Sequence, residues 1–301
     1  MTRYYLEENQ GIESRDNEWY MNLQEVGEGG NAVVYLVVQT TGKVRGNPFA
    51  LKIFKHTENE ERLDRFLEEL EFLQETSHPS ILTYQDTGTY YDHPFLVSEY
   101  LPKTLEDIDG PEMQMTKKLN YSVQLLSALI HLSNRDPPII HRDIKPDNIF
   151  VKGSSCVLGD FGLMKHGNED NDDENGVWQE STEDALPHFY RTPDLVNYAK
   201  GDGQLTTKSD VYQMGLVLTE LFTGWNPLER PENDDPLSPV ELNEIDYIKG
   251  EYGGRIADLL NRMLVENPDE RESAEELMDD WMGIYEDAMG SARALNGQVF
   301  Y

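Results

Sequence analysis

The chain has 301 residues, of which 57 are Asp or Glu and 25 are Lys or Arg, leaving a formal net charge of −32. That acid excess argues against non-specific binding to nucleic acid and against docking on anionic lipid, both of which need cations. With 38% apolar and 10% aromatic residues, the chain has material for one large domain or two modest ones, which a disordered acidic chain lacks. The single cysteine, Cys156, excludes an intramolecular disulfide and a cysteine-based zinc site, and reads as a buried strand residue. The opening residues carry no signal-peptide core, and the longest apolar-rich run, 211–222, contains Glu220 and is too short to span a bilayer. A cytoplasmic chain is expected.

In chain order, residues 1–18 are polar and charged and are expected to lie outside the core. Three strands follow at 20–26, 32–38 and 49–54, the first two joined by a glycine-rich turn. Leu63, Phe66, Leu67, Leu70 and Leu73 recur at helical spacing and predict a helix over 60–76. Strands are expected at 81–87 and 94–100. Beyond Pro102 the pattern turns helical, with Leu119, Leu125, Leu126, Leu129 and Leu132 on one long helix. Further helices are expected at 209–223, 239–247, 254–264 and 273–287, the second of these from Ser238 as cap and Pro239 at its first position. A small β-rich front and a large helical back give a two-lobed α+β layout, in which a cleft would bind ligand.

Two patterns bear on phosphate chemistry. Gly27-Glu28-Gly29-Gly30-Asn31-Ala32-Val33-Val34 lies between two predicted strands, where glycines allow positive φ and let backbone amides approach a polyphosphate. It opens no helix and lacks a Gly-Lys-Ser/Thr ending, so neither the dinucleotide fingerprint nor the P-loop fits; ordinary hairpins also carry glycines. Lys52 ends an apolar strand run, a position that solvated edge lysines also occupy. Glu69 borders the apolar stripe of the next helix, and an inward carboxylate needs a cation, for which Lys52 is the candidate. Glu68 and Glu71 fit a solvated face.

His141-Arg142-Asp143-Ile144-Lys145-Pro146-Asp147-Asn148 resembles the catalytic loop of protein kinases. Asp160-Phe161-Gly162 follows at a fitting distance, and the glycine-rich loop, Lys52 and Glu69 precede it in order. Thr192-Pro193-Asp194 stands where Ala-Pro-Glu is usual, Asp210 to Gly215 resembles the Asp-x-Trp-x-x-Gly helix start, and Arg271 fits the arginine that pairs with the carboxylate of Asp194. The resemblance covers about 20–282 and implies the bilobal protein-kinase fold, a small β-rich N-lobe and a larger helical C-lobe with an ATP cleft between. The expected division is 1–18 as extension, 19–101 as N-lobe and hinge, 102–282 as C-lobe and 283–301 as tail.

The resemblance also implies roles. Asp143 would accept the proton of the substrate hydroxyl, Lys145 would steady the transferring phosphoryl, and Lys52, held by Glu69, would lie against the phosphates of ATP. Asn148 and Asp160 would hold Mg²⁺, or Mn²⁺ in its place. Gly27, Gly29, Gly30, Val34, Ala50, Glu99, Leu101 and Phe150 would surround the nucleotide, with Ser98 at the gatekeeper position before an open back pocket. Lys145 marks the Ser/Thr-specific type, whereas Pro187 occupies a place where tyrosine kinases have proline and Ser/Thr kinases have threonine. The doubled glycine at 29–30 looks most like prokaryotic versions of the family. Ser181 and Thr182 are candidate phosphorylation sites, and Arg142 would receive the phosphate. Asn171 to Gly176 mimics the front of a calcium loop, but position twelve is Thr182 and no flanking helix pair is evident, so a solvated acidic loop is expected.

The expected function is Mg-ATP-dependent phosphoryl transfer to Ser or Thr of a protein substrate, with basic flanking residues suggested by Asp147. A pseudokinase scaffold and a small-molecule phosphotransferase on a related fold are the alternatives. The full set Lys52, Glu69, Asp143, Asn148 and Asp160 disfavours the first, and the Thr-Pro-Asp segment disfavours the second. The acid excess must lie away from the phosphate site, and suits a protein of a salt-adapted prokaryotic host.

Overall fold

The computed structural model describes residues 4–167, 189–230, 235–245 and 247–297. Ser181, Thr182, Pro187 and the calcium-loop mimic lie outside the described residues. The chain divides into two compact units, Met1–Pro102 and Lys103–Tyr301.

The first unit is built on an antiparallel sheet of six strands: β1 (Gly11–Glu13), β2 (Trp19–Glu28), β3 (Ala32–Gln39), β4 (Pro48–Phe54), β5 (Tyr84–Tyr90) and β6 (His93–Glu99), in the order β1-β2-β3-β4-β6-β5. The register sorts side chains by face, because residues directly opposite in a ladder share one side. Val34 pairs with Lys52 and Lys52 with Leu96, while Leu36 pairs with Ala50 and Ala50 with Ser98. The opposite face carries Val33, Tyr35, Val37, Leu51, Ile53, Phe95 and Val97, all in one buried cluster. A strand covered on both faces reads as a continuous apolar run, as β3 does.

The cover on that second face comes from the segment expected to stay outside. Leu6 and Ile12 are buried in the same cluster, and Tyr4 packs against it. The Leu6 N–H donates to the Tyr35 hydroxyl at 3.1 Å, and Asn22 Nδ2 donates to the Glu7 carbonyl at 2.9 Å. β1 pairs with β2. Three apolar residues among many polar ones gave no periodic signal, yet they suffice to cap a sheet face.

Helix α1 (Glu60–Glu75) begins at Asn59, whose side chain accepts from the Arg62 N–H, and buries Phe66, Phe72 and Leu73, with Phe66 stacked on Phe54 at 5.2 Å. β5 starts later than expected because 78–81 forms a turn closed by Ile81 N–H to His78 O at 3.1 Å.

In the second unit the described helices are α2 (Met115–Ser133), α3 (Pro193–Ala199), α4 (Thr207–Thr223), α5 (Gly253–Met263) and α6 (Ala274–Gly297). Two short ladders, β7 (Ile139–Ile140) with β10 (Lys165–His166) and β8 (Ile149–Lys152) with β9 (Ser155–Leu158), frame the loop between β7 and β8. Helix α4 is buried on every side. At Gly215 a Cβ would meet the Leu264 and Met263 side chains at 2.9 and 3.0 Å, so glycine lets the C-terminal end of α5 approach α4. Helix α6 continues past residue 287 because Trp281, Ile284 and Ala288 extend its buried stripe.

The helix expected at 239–247 is absent among its described residues. Arg191, 1% exposed, donates from its guanidinium to the carbonyls of Ser238 (3.1 Å) and Pro239 (3.3 Å), the first two acceptors such a helix needs. Asn243 N–H, which would have bonded Pro239, donates to Pro227 O at 2.8 Å instead. A cap signal in the sequence has lost to a buried cation that takes the carbonyls.

Candidate active site

In the first unit, Gly27 lies in β2 and Gly29 and Gly30 in the turn before β3. None of the three has a left-handed φ, contrary to the expectation that positive φ explains them, and a Cβ on any of them would meet nothing within 4 Å. The protein's own packing therefore leaves these positions open. The loop is fastened from behind: Lys55 Nζ donates to Gly29 O at 2.6 Å and to Glu28 Oε1 at 3.0 Å, and His56 Nε2 lies 2.8 Å from Gly30 O. Tyr5 also donates to Glu28 Oε1, at 2.8 Å. Hydrogen bonds from Lys55 and Tyr5 hold the Glu28 carboxyl below its ordinary range.

Lys52, on β4, donates to both carboxylate oxygens of Glu69 at 2.9 Å, and Glu69 is 1% exposed. The pair fixes the ammonium on the sheet face that also carries Val34 and Ala50. Ser98 is buried opposite Ala50. Glu99 ends β6, its N–H donating to Thr83 O at 3.2 Å, and Leu101 follows in coil.

The second unit holds the remaining candidates. Asp143 is buried and receives Lys145 Nζ at 3.1 and 2.9 Å on its two oxygens. Asn148 Nδ2 donates at 2.8 Å both to Asp143 Oδ2 and to the Asp143 carbonyl. Burial pushes the Asp143 carboxyl above its ordinary range, against the pull of Lys145 and Asn148. His141 Nδ1 accepts from the Asp143 N–H at 3.3 Å, which leaves Nε2–H to donate to Gly159 O at 3.1 Å. That neutral ring is fully buried, and burial lowers its pKa to about 4. It packs on Phe161, with ring centroids 4.6 Å apart.

The β8–β9 hairpin brings the two metal candidates to one end. Ile149 pairs with Leu158, so Asn148 enters and Asp160 leaves the ladder at the same side, joined by Gly159 N–H to Asn148 O at 2.9 Å. Asp160 is exposed with φ 56°, a left-handed conformation that aspartate tolerates better than most non-glycine residues. An amide oxygen and a carboxylate oxygen at one hairpin end are a hard donor set that fits a divalent ion accompanied by phosphate. Phe150 lies on β8 between Asn148 and the hairpin turn.

The loop is anchored to α4. Asp210 accepts from His141 N–H at 2.8 Å and Arg142 N–H at 3.0 Å, and Gln213 bonds Ile144 N–H and Arg142 O at 3.1 and 2.9 Å. Arg142 has φ 71° and lies with its guanidinium 6.0 Å from the Tyr198 ring centroid. Asp194 meets Arg271 bidentately, 2.8 Å on each arm, so the shorter carboxylate still pairs. Cys156 is buried on β9, its thiol pushed upward by burial, which makes it inert. Sequence reading missed Lys55, His56 and Gln213, because each of them bonds main-chain carbonyls, which leave no pattern in the side chains.

The protein kinase domain family matches residues 20–282. The chain belongs to the protein kinase family. It is 33% identical over 215 residues to calmodulin-binding receptor-like cytoplasmic kinase 2 of Arabidopsis thaliana, covering 68% of this chain and 49% of that protein. Among bacterial relatives, it is 31% identical over 222 residues to the serine/threonine-protein kinase PrkC of Bacillus subtilis, covering 70% of this chain and 31% of that one. It is also 29% identical over 272 residues to serine/threonine-protein kinase pkn2 of Myxococcus xanthus, covering 85% and 31%. The chain thus spans a third to a half of the length of these relatives. No helix among the described residues is long and apolar enough to cross a membrane.

Proposed function

We propose that the chain transfers the γ-phosphoryl group of ATP to Ser or Thr hydroxyls of protein substrates. The observation that carries this reading is Asp143, a buried carboxylate paired with Lys145 and hydrogen-bonded by Asn148 on a loop clamped to α4. Asp143 orients the attacking hydroxyl and takes its proton; Lys145 neutralises charge on the phosphoryl in flight; Lys52, fixed by Glu69, binds phosphate oxygens of the nucleotide. Asn148 and Asp160 would hold Mg²⁺, which would supply positive charge against the phosphate chain. The bare backbone at Gly27, Gly29 and Gly30 admits the phosphates, and within the same unit Val34, Ala50 and the main chain at Glu99 and Leu101 receive the base.

Basic-flanked substrates fit the second unit. A cavity of about 230 Å³ is lined by Glu106, Asp109 and Glu220 among others. Burial, and the charges of Asp147 and Glu220, raise the Glu106 pKa. Such mutual repulsion is relieved by an incoming Arg or Lys.

The deciding experiment follows labelled phosphate from ATP into a generic basic protein. Transfer is expected, with a fall of roughly 10²- to 10⁴-fold in Asp143→Asn. Label appearing in a sugar or antibiotic but never in protein would refute the reading.

A further inference from the structure

We infer that Gln213 is a positioning residue for Asp143. The inference rests on the reading of Asp143 as the group that orients the substrate hydroxyl. Gln213 is 0% exposed on α4, three residues after Asp210. Its amide is engaged at both ends: Oε1 accepts from Ile144 N–H at 3.1 Å, and Nε2 donates to the carbonyls of Arg142 and Tyr190, each at 2.9 Å.

Those bonds have a particular geometry along the chain. The Arg142 carbonyl belongs to the peptide plane before the Asp143 Cα, and the Ile144 N–H to the plane after it. One side chain therefore grips both planes that flank the base. Two fixed planes set the φ and ψ of Asp143 and with them the direction of its Cα–Cβ bond. Asp210 cannot do this, because its oxygens take the N–H groups of His141 and Arg142, both ahead of those planes. The left-handed Arg142 between the two clasps is held by Asp210 at its N–H and by Gln213 at its carbonyl. The third bond carries the grip to Tyr190, two residues before the cap of α3 at Thr192. Placement of the base is thereby tied to the chain that enters α3.

The test uses the full chain, saturated with Mg-ATP, and measures single-turnover transfer to a basic protein together with nucleotide stoichiometry and KM for ATP. Gln213→Met keeps length and volume and removes all three bonds. Its transfer rate is expected to fall roughly 10- to 100-fold, with one nucleotide bound per chain and KM for ATP unchanged within roughly twofold. In an Asp143→Asn background the same substitution should change the residual rate by less than about threefold, since Gln213 acts through the missing carboxylate. An equal fold-loss in both backgrounds would assign Gln213 a general structural role and overturn the inference. If Gln213→Met does not fold, Gln213→Glu carries the test, because it keeps the acceptor for Ile144 and loses the donor to both carbonyls; a rate equal to the parent's would overturn the inference. Transfer that depends on Asp143 but not on Gln213 removes this inference alone. Transfer indifferent to Asp143→Asn removes the functional reading beneath it.

Discussion

Asp143 and Lys145 form a pair whose electrostatics can be tested through pH. Burial raises the carboxyl, and Lys145 is the strongest counterweight. A base must be ionised, so activity should fall as pH drops through a limb lying above the ordinary carboxylate range. Lys145→Met removes the cation that favours the anion, so that limb should move to higher pH, and kcat should fall by roughly 10²-fold. A limb that stays in place would show that Asp143 is not the titrating group. At this scale the sequence was informative where a side chain meets a side chain. Lys52 and Glu69 could be paired from an apolar strand run and a helix stripe, and Asp194 with Arg271 from their motif. Gln213 could not be found that way, since its partners are backbone groups, which every residue has, and Lys55 binds the Gly29 carbonyl as well as Glu28.

Among the elements, β3 and α4 were readable because continuous apolar runs admit few environments. The segment from Tyr4 to Glu13 was not, because its contribution is two buried side chains and a hydrogen bond to Tyr35, set among charged residues. Leu6→Ala should destabilise the chain by about 2–3 kcal/mol through lost burial and the cavity left over Tyr35, read from the urea midpoint. A change below about 0.5 kcal/mol would return this segment to the solvated extension its composition suggested. The missing helix at 239–247 teaches a related point. Ser238-Pro239 is a sound helix start when carbonyls are free, and Arg191, 47 residues from Ser238, withdraws them. Local signals fail where a distant buried group competes for the same acceptors.

Across the whole molecule, acids outnumber cations by 57 to 25, and Arg262 serves several carboxylates. Arg262 reaches Glu272 at 3.0 Å and Asp280 at 2.7 Å, with Asp258 at 4.0 Å. Sharing of this kind cannot neutralise an excess of 32 acids, which repel one another through solvent. At about 1 M salt the Debye length shrinks to about 3 Å, which screens that repulsion more than it weakens contact pairs. The melting temperature should therefore rise between dilute buffer and molar KCl; equal or higher stability in dilute buffer would count against adaptation to salt. The α+β layout could be read from the sequence. The clasp on the catalytic loop could not, and it bears on how such a chain can change. Asp210 and Gln213 grip peptide groups at 141, 142 and 144 and are blind to the side chains there. Substitutions inside the loop can drift without loosening its anchor, whereas a change at either anchor is felt by every residue of the loop at once.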